Sequence, residues 1–328
     1  MNNENKIKIV FLGAGAFAPP VLDALLRDPD IEVLSVVTQP DKPAGRKGVL
    51  TPSPLGKWCE TAGVPFERVP SVNAPDWLDK CRALAPDLAV VVSFGQLLKT
   101  ELLELPPLGC LNVHASLLPK YRGASPIVSS ILNGETVTGV SFMRMEKGLD
   151  TGPVYQQLEL AIDEGITAPE LENRLACLAG QHIGNCIRAL ASGTLQAREQ
   201  DHATATLSRK IRKSHASIDW QEDAAALSRK IRAFYPWPSA IFTFPRGERT
   251  VMVKISAGRA EPYSGKARPG EIISITQQGI LAACGSNALL LERVIPEGKK
   301  EMKAADFANG FRLEPGAVFF NGPGISAT

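Results

Sequence analysis

Apolar residues fall in short blocks along the first 160 positions, and the blocks alternate with stretches of helical spacing. Ile7–Leu12 is a β-branched run ending at Gly13, and Glu32–Thr38 (EVLSVVT) is a second. Asp87–Ser93 (DLAVVVS) is a third, and its unbroken apolarity predicts burial on both faces. Gly109–His114 and Val137–Met145 predict two further strands. Helices are predicted over Pro19–Leu26, where proline suits a first turn, and over Ser53–Thr61 and Ala74–Leu84. A longer one is predicted over Ala168–Ser192, stopped by Gly193. Continuous apolar strands separated by helices predict an α/β domain with a mostly parallel sheet covered on both sides.

Residues 194–213 (TLQAREQDHATATLSRKIRK) are polar and weakly periodic, which predicts a linker. Beyond it the pattern changes. Glu222–Ala233 predicts one amphipathic helix, ended by Tyr235-Pro236-Trp237-Pro238. Ala240–Phe244, Val251–Ser256, Gly270–Thr276, Gly279–Cys284 and Leu289–Val294 are short strand-like runs divided by turn residues, and such a series predicts a small β-barrel. The expected organisation is therefore a domain over 1–193, the linker, and a second domain over 214–328. LSRKIR occurs at 207–212 and again at 227–232, too short an echo to be a structural repeat.

With 328 residues, 44% apolar and 21% charged, the chain has room for two cores, and collagen-like or low-complexity classes are excluded. No apolar run approaches the roughly 18 residues of a membrane span. The polar start Met1–Ile7 does not read as a secretory signal, so a cytoplasmic protein is expected. The net charge of +2 conceals an asymmetry: residues 1–204 carry 18 Lys+Arg against 23 Asp+Glu, and residues 205–328 carry 18 against 11. That second part suits a polyanion. Six dispersed cysteines without a CxxC pair predict reduced, buried thiols, and four scattered histidines predict no metal site.

Three segments are candidates for chemistry. Gly13-Ala14-Gly15-Ala16-Phe17-Ala18 satisfies G-x-G-x-x-G/A between a strand and a helix, which leaves open a pyrophosphate cradle or a plain tight turn. Thr38–Pro54 is expected to be a long loop, with four prolines, two glycines and the cations Lys42, Arg46 and Lys47 suited to phosphates. Asn112 and His114, two apart at a strand end, share a face at the carboxyl edge of the sheet. Asp150, in the Gly-flanked turn Gly148–Gly152, is placed to return to His114. An amide donor, an imidazole and an orienting carboxylate suit an oxyanion and a proton transfer, and no nucleophile elbow accompanies them.

NVHASLLPKYRGASPI followed by MEKGLDTGPV resembles the signature of the folate-dependent formyltransferases, and TQPDKPAGR, ASIDW, IRAFYPWP and IPEGKKEM extend the resemblance along nearly the whole chain. GAGAFA stands where many members have GTPxFA, and Lys42 and Lys120 stand where arginine is frequent. The resemblance implies a Rossmann-like formyltransferase domain with a C-terminal OB-fold-like β-barrel. It implies 10-formyltetrahydrofolate as formyl donor and an Asn112, His114, Asp150 active site. Ser116, Leu117, Leu118 and Pro119, with Phe94, Gly95, Gln96 and Leu97, are then the folate-binding residues. The basic second part favours an acceptor on initiator methionyl-tRNA over a small amine, and a cytoplasmic monomer without membrane partners is expected. Lys42, Arg46 and Lys47 are then expected at the acceptor end, with Arg209, Lys210, Arg212, Lys213, Lys254, Lys299 and Lys300 along the tRNA backbone. Two readings outside the family are weighed beside it: a nicotinamide-dependent dehydrogenase resting on the glycines, and a non-catalytic RNA-binding protein.

Overall fold

Ile9, Val10, Phe11 and Leu12 have no exposed surface, and the strand they form organises the first part of the molecule. The computed structural model describes residues 6–44 and 48–322. They divide into two compact units: one of residues up to Pro126, Val137–Ala161 and Glu170–Ser208, the other of Ile127–Thr136, Ile162–Pro169 and the residues from Arg209 on.

The strands of the first unit are β1 (Ile7–Gly13), β2 (Ile31–Thr38), β3 (Lys42–Ala44), β4 (Val49–Thr51), β5 (Glu67–Arg68), β6 (Leu88–Val92), β7 (Cys110–His114), β8 (Arg122–Gly123), β9 (Val137–Arg144), β10 (Val154–Ala161) and β11 (Leu207–Ser208). Seven of them form one sheet in the order β10-β9-β7-β6-β1-β2-β5. The five from β7 to β5 run parallel, while β9 and β10 are antiparallel. Every residue of β6 is buried, as a central parallel strand requires. Helices α1 (Ala18–Arg27), α2 (Pro54–Ala62), α3 (Pro75–Leu84) and α4 (Thr100–Leu103) follow β1, β4, β5 and β6. Two later helices are α5 (Pro126–Leu132), which from Ile127 on counts with the second unit, and α6 (Ala168–Ala191). α1 buries Ala18, Val21, Leu22 and Leu25, the larger of these worth about 1.5–3 kcal/mol each. α2 starts where Ser53 Oγ accepts from Gly56 N at 3.0 Å and stops at Gly63, whose φ of +68° suits glycine.

The Gly13–Ala18 turn is explained by packing. A Cβ on Gly15 would lie 2.9 Å from Ser93 Cβ, and Gly15 N donates to Ser93 O at 3.2 Å. That N–H is therefore committed to the end of β6 and not free for a phosphate. Two segments differ from expectation. The Thr38–Pro54 segment carries a short ladder, β3 with β4, in which Lys42 pairs with Thr51. Residues 194–208, expected as linker, belong to the first unit, held by Arg198 against Val154 and by β11 against β8.

The second unit is built on β12 (Ala240–Arg246), β13 (Arg249–Glu261), β14 (Ile272–Thr276), β15 (Gly279–Ala283), β16 (Ala288–Pro296), β17 (Met302–Lys303) and β18 (Phe320–Asn321), with α7 (Ala224–Phe234) and α8 (Ala304–Phe311). The order is β14-β15-β16-β13-β12-β18, with β17 on β16, and the pairings are antiparallel. Backbone bonds from Ile272 N to Ala317 O and from Phe319 N to Gly270 O, both 2.8 Å, join the two ends and curl the sheet into a barrel-like shape. Its core is aromatic: Trp220 stacks on Phe319, whose ring lies 4.5 Å from that of Phe242, and Phe244 meets Phe307 and Phe311 edge-on. α8 and the two short strands β17 and β18 are not among the elements expected from the sequence.

Candidate active site

β7 carries Asn112 and His114 on one face, and the connection from β9 to β10 folds Asp150 over that face. The carboxylate is shared three ways. Asn112 Nδ2 donates to Asp150 Oδ1 at 3.4 Å, Gly123 N donates to Asp150 Oδ2 at 2.7 Å, and His114 Nδ1 lies 3.7 Å from Oδ2. His114 is 6% exposed, and its Nε2 donates to the Tyr121 carbonyl at 3.0 Å. The ring is therefore held by one hydrogen bond through Nε2, with Nδ1 turned toward the Asp150 carboxylate. Asp150 holds this place with a φ of +52°, in the left-handed region where a non-glycine residue is strained. Gly123 is needed beside it: its φ is +116°, and a Cβ there would come 2.5 Å from Ser208 O. Cys110, on the same strand, is a packing residue whose thiol burial pushes up to about 12, out of the range of a nucleophile at neutral pH.

The segment after β7 is braced from within. Ser116 Oγ donates to Lys120 O at 2.6 Å, and Ser141 Oγ donates to Ser116 O at 2.7 Å while accepting from Leu118 N at 3.0 Å. Gln157 Nε2 closes the brace on Leu118 O at 2.8 Å. Leu118 is buried, and Leu117 and Pro119 are half-buried. The 94–97 segment follows β6, the parallel neighbour of β7, so both segments leave the same edge of the sheet. Phe94 is buried, its carbonyl taken by the Gln39 amide, and Gln96 spends its own amide on Val72 N and Val69 O. Gly95 is exposed, and Leu97 leaves 80% of its surface uncovered. Gln39, Tyr121 and Gln157, which the sequence did not single out, are thus part of the site's frame.

The expected cations fall in both units. Lys42 is exposed and donates to Gln39. Arg46 and Lys47 lie outside the described residues. Arg209, Lys210, Arg212, Lys213, Lys254, Lys299 and Lys300 are all in the second unit, and all seven are exposed. Lys254 stands on β13, one residue beyond the Val253–Pro296 pair, and Lys299 and Lys300 occupy the turn that follows Pro296. Among the described residues no three His, Cys, Asp or Glu side chains converge as metal ligands, and no helix is long and apolar enough to cross a membrane.

Two family models match the chain in succession. Residues 7–187 match the formyl transferase family and residues 210–312 the formyl transferase C-terminal domain. The chain is 39% identical to a methionyl-tRNA formyltransferase of Geobacter metallireducens, over 94% of its own length and 97% of the relative's. It is 40% identical to a methionyl-tRNA formyltransferase of Myxococcus xanthus, over 95% and 98% of the two chains. Among solved structures, HypX from Aquifex aeolicus in complex with tetrahydrofolic acid shares the fold, with a TM-score of 0.62 at 15% identity over 94% of this chain and 48% of that one. With both halves matched in order and such relatives covered almost end to end, the chain belongs to the formyltransferase family.

Proposed function

We propose that the chain transfers the formyl group of 10-formyltetrahydrofolate to the amino group of methionine on initiator methionyl-tRNA, for translation initiation, as a monomer in the cytoplasm. The observation that carries the reading is the Asp150 carboxylate held between Asn112, His114 and Gly123 N in a chain of this family. The uncovered Leu97 with the half-buried Leu117 and Pro119 supplies apolar surface fit for a folate ring at the same sheet edge.

The donor supplies an electrophilic formyl carbon. The amine attacks that carbon, the carbon–N10 bond breaks, and the proton lost by the amine ends on the tetrahydrofolate nitrogen. Negative charge develops on the formyl oxygen, and fixed donors in a water-poor site stabilise it. Asn112 Nδ2 is one donor. His114 Nε2–H becomes the second by leaving the Tyr121 carbonyl, which keeps a partner in Ser208 Oγ at 3.2 Å. Asp150 supports the imidazolium as a neighbouring anion. Lys42, with Arg46 and Lys47, meets the acceptor end, and the exposed cations of the second unit meet phosphates.

The test offers labelled 10-formyltetrahydrofolate with methionyl initiator tRNA and, in a parallel reaction, with glycinamide ribonucleotide. Label on the tRNA is expected. Label on the small amine alone contradicts the assignment.

A further inference from the structure

Asp150 holds its carboxylate in place only if its own backbone is held, and the groups that hold it come from a stretch that reads in the sequence as a linker. Gln200 Nε2 donates to Asp150 O at 2.9 Å and to Gly152 O at 2.6 Å, gripping the turn on both sides of Thr151. Gln200 Oε1 accepts from Arg122 Nε at 3.0 Å and from Arg122 Nη2 at 2.8 Å. Both donor hydrogens and both acceptor lone pairs of the amide are used. The amide orientation is fixed by chemistry as well: reversed, its oxygen would face two carbonyls and its NH2 a guanidinium. Gln200 is 7% exposed and Arg122 6%, so each bond broken here leaves a buried polar group unmet. Arg122 Nη2 also donates to His202 Nδ1 at 3.1 Å.

The adjacent residues Arg122 and Gly123 act on both the backbone and the carboxylate of Asp150. Arg122 holds the amide that holds the backbone of Asp150, and its neighbour Gly123 donates to the carboxylate. The left-handed backbone of Asp150 has a relaxed alternative, and a turn free to take it would swing the carboxylate away from Asn112 and His114.

We propose that Gln200, gripped by Arg122, is the positioning residue that keeps Asp150 in its reactive orientation. This rests on the assignment of Asp150 to the reaction. Gln200 is buried and its amide is fully spent on Asp150, Gly152 and Arg122, so it is expected to act on the rate of the bound complex and not on affinity.

Gln200→Glu is the sharpest probe. It keeps the size of the side chain and gains an ion pair with Arg122, which maintains the fold, but turns an acceptor oxygen toward the carbonyls of Asp150 and Gly152. In the full-length protein, kcat for formylation of methionyl initiator tRNA is expected to fall about 10²-fold, the cost of a misplacement on the ångström scale. KM for each substrate should stay within about threefold, and the unfolding transition should be retained. Gln200→Asn, which keeps both amide groups on a shorter arm, should fall between the two. If Gln200→Glu does not fold, Gln200→Asn and Arg122→Lys carry the same kcat-against-KM test.

Combining Gln200→Glu with Asp150→Asn separates the outcomes. A residue acting through Asp150 costs little once Asp150 is changed, so the two losses should fall well short of adding. Wild-type kcat in Gln200→Glu, a loss confined to KM, or full additivity with Asp150→Asn overturns the positioning role while leaving Asp150 in the reaction. Wild-type kcat in Asp150→Asn alone overturns the underlying reading instead.

Discussion

The two units place the polar groups assigned to function differently. In the first, six buried polar side chains, His114, Ser116, Arg122, Ser141, Gln200 and Ser208, lie in the site or its braces, with Thr38 and Thr138 buried elsewhere in the unit. In the second, the core is aliphatic around a cluster of rings that includes Phe242 and Phe244, and the charged residues singled out for binding stand toward solvent. Chemistry on a small developing charge needs dipoles fixed in advance, and burying them is how they are fixed. Holding a long polyanion needs charge that water and counterions can reach, on a scaffold whose stability does not depend on that charge. The contrast predicts that substitutions in the buried cluster around β7 change rate at constant tRNA affinity, and those in the second unit change tRNA affinity or stability at constant rate.

Replacing His114 with Ala should have the largest effect, lowering kcat by about 10²–10⁴-fold with tRNA affinity unchanged, read by steady-state kinetics beside a binding titration. A variant that keeps its rate and loses affinity would erase the contrast. Phe242→Ala, a fully buried ring between Trp220 and Phe319, should cost about 3–5 kcal/mol in denaturant unfolding, with the secondary structure of the first unit surviving to higher denaturant. Coincident loss of both units would show that their cores are not separate. Lys299→Ala with Lys300→Ala should weaken tRNA binding and flatten its dependence on log salt by about one unit for each phosphate no longer neutralised, with kcat at saturating tRNA retained.

Asp223→Ala is expected to be the smallest, about 1 kcal/mol, because it removes the N-cap of α7. The hydrogen bond from Ser286, with those from Ala225 N and Asn287, holds the Asp223 carboxyl below its ordinary value of 3.8. A lowered folded value means that this stabilisation is present above about pH 4 and is lost as pH falls through the lowered value. The stability difference between wild type and variant should therefore shrink in acid, and a difference that grows there would contradict the capping role.

Much of the fold was legible because burial writes itself into residue type. The expected strand at Asp87–Ser93 is observed at Leu88–Val92, and the expected helix at Ala74–Leu84 at Pro75–Leu84. β10 escaped notice as an edge strand that alternates half-buried with exposed positions, so no continuous apolar run marks it. Asn112, His114 and Asp150 stood out through strand spacing, a glycine-flanked turn and the family resemblance. Gln200 could not be read in the same way, since its partner Arg122 lies 78 residues away and its other partners are backbone carbonyls, which leave no mark in sequence. The Tyr121 carbonyl that takes His114 Nε2 is hidden for the same reason.

The division of chemistry and binding between the units is tested most directly with Asp150→Asn under single-turnover conditions. Saturating 10-formyltetrahydrofolate and methionyl initiator tRNA are mixed with enzyme in excess, and tRNA affinity is measured on the same preparation. The rate should fall by at least about 10²-fold with tRNA affinity unchanged within about twofold. A rate at the wild-type level, or a loss explained by weaker tRNA binding, would contradict it.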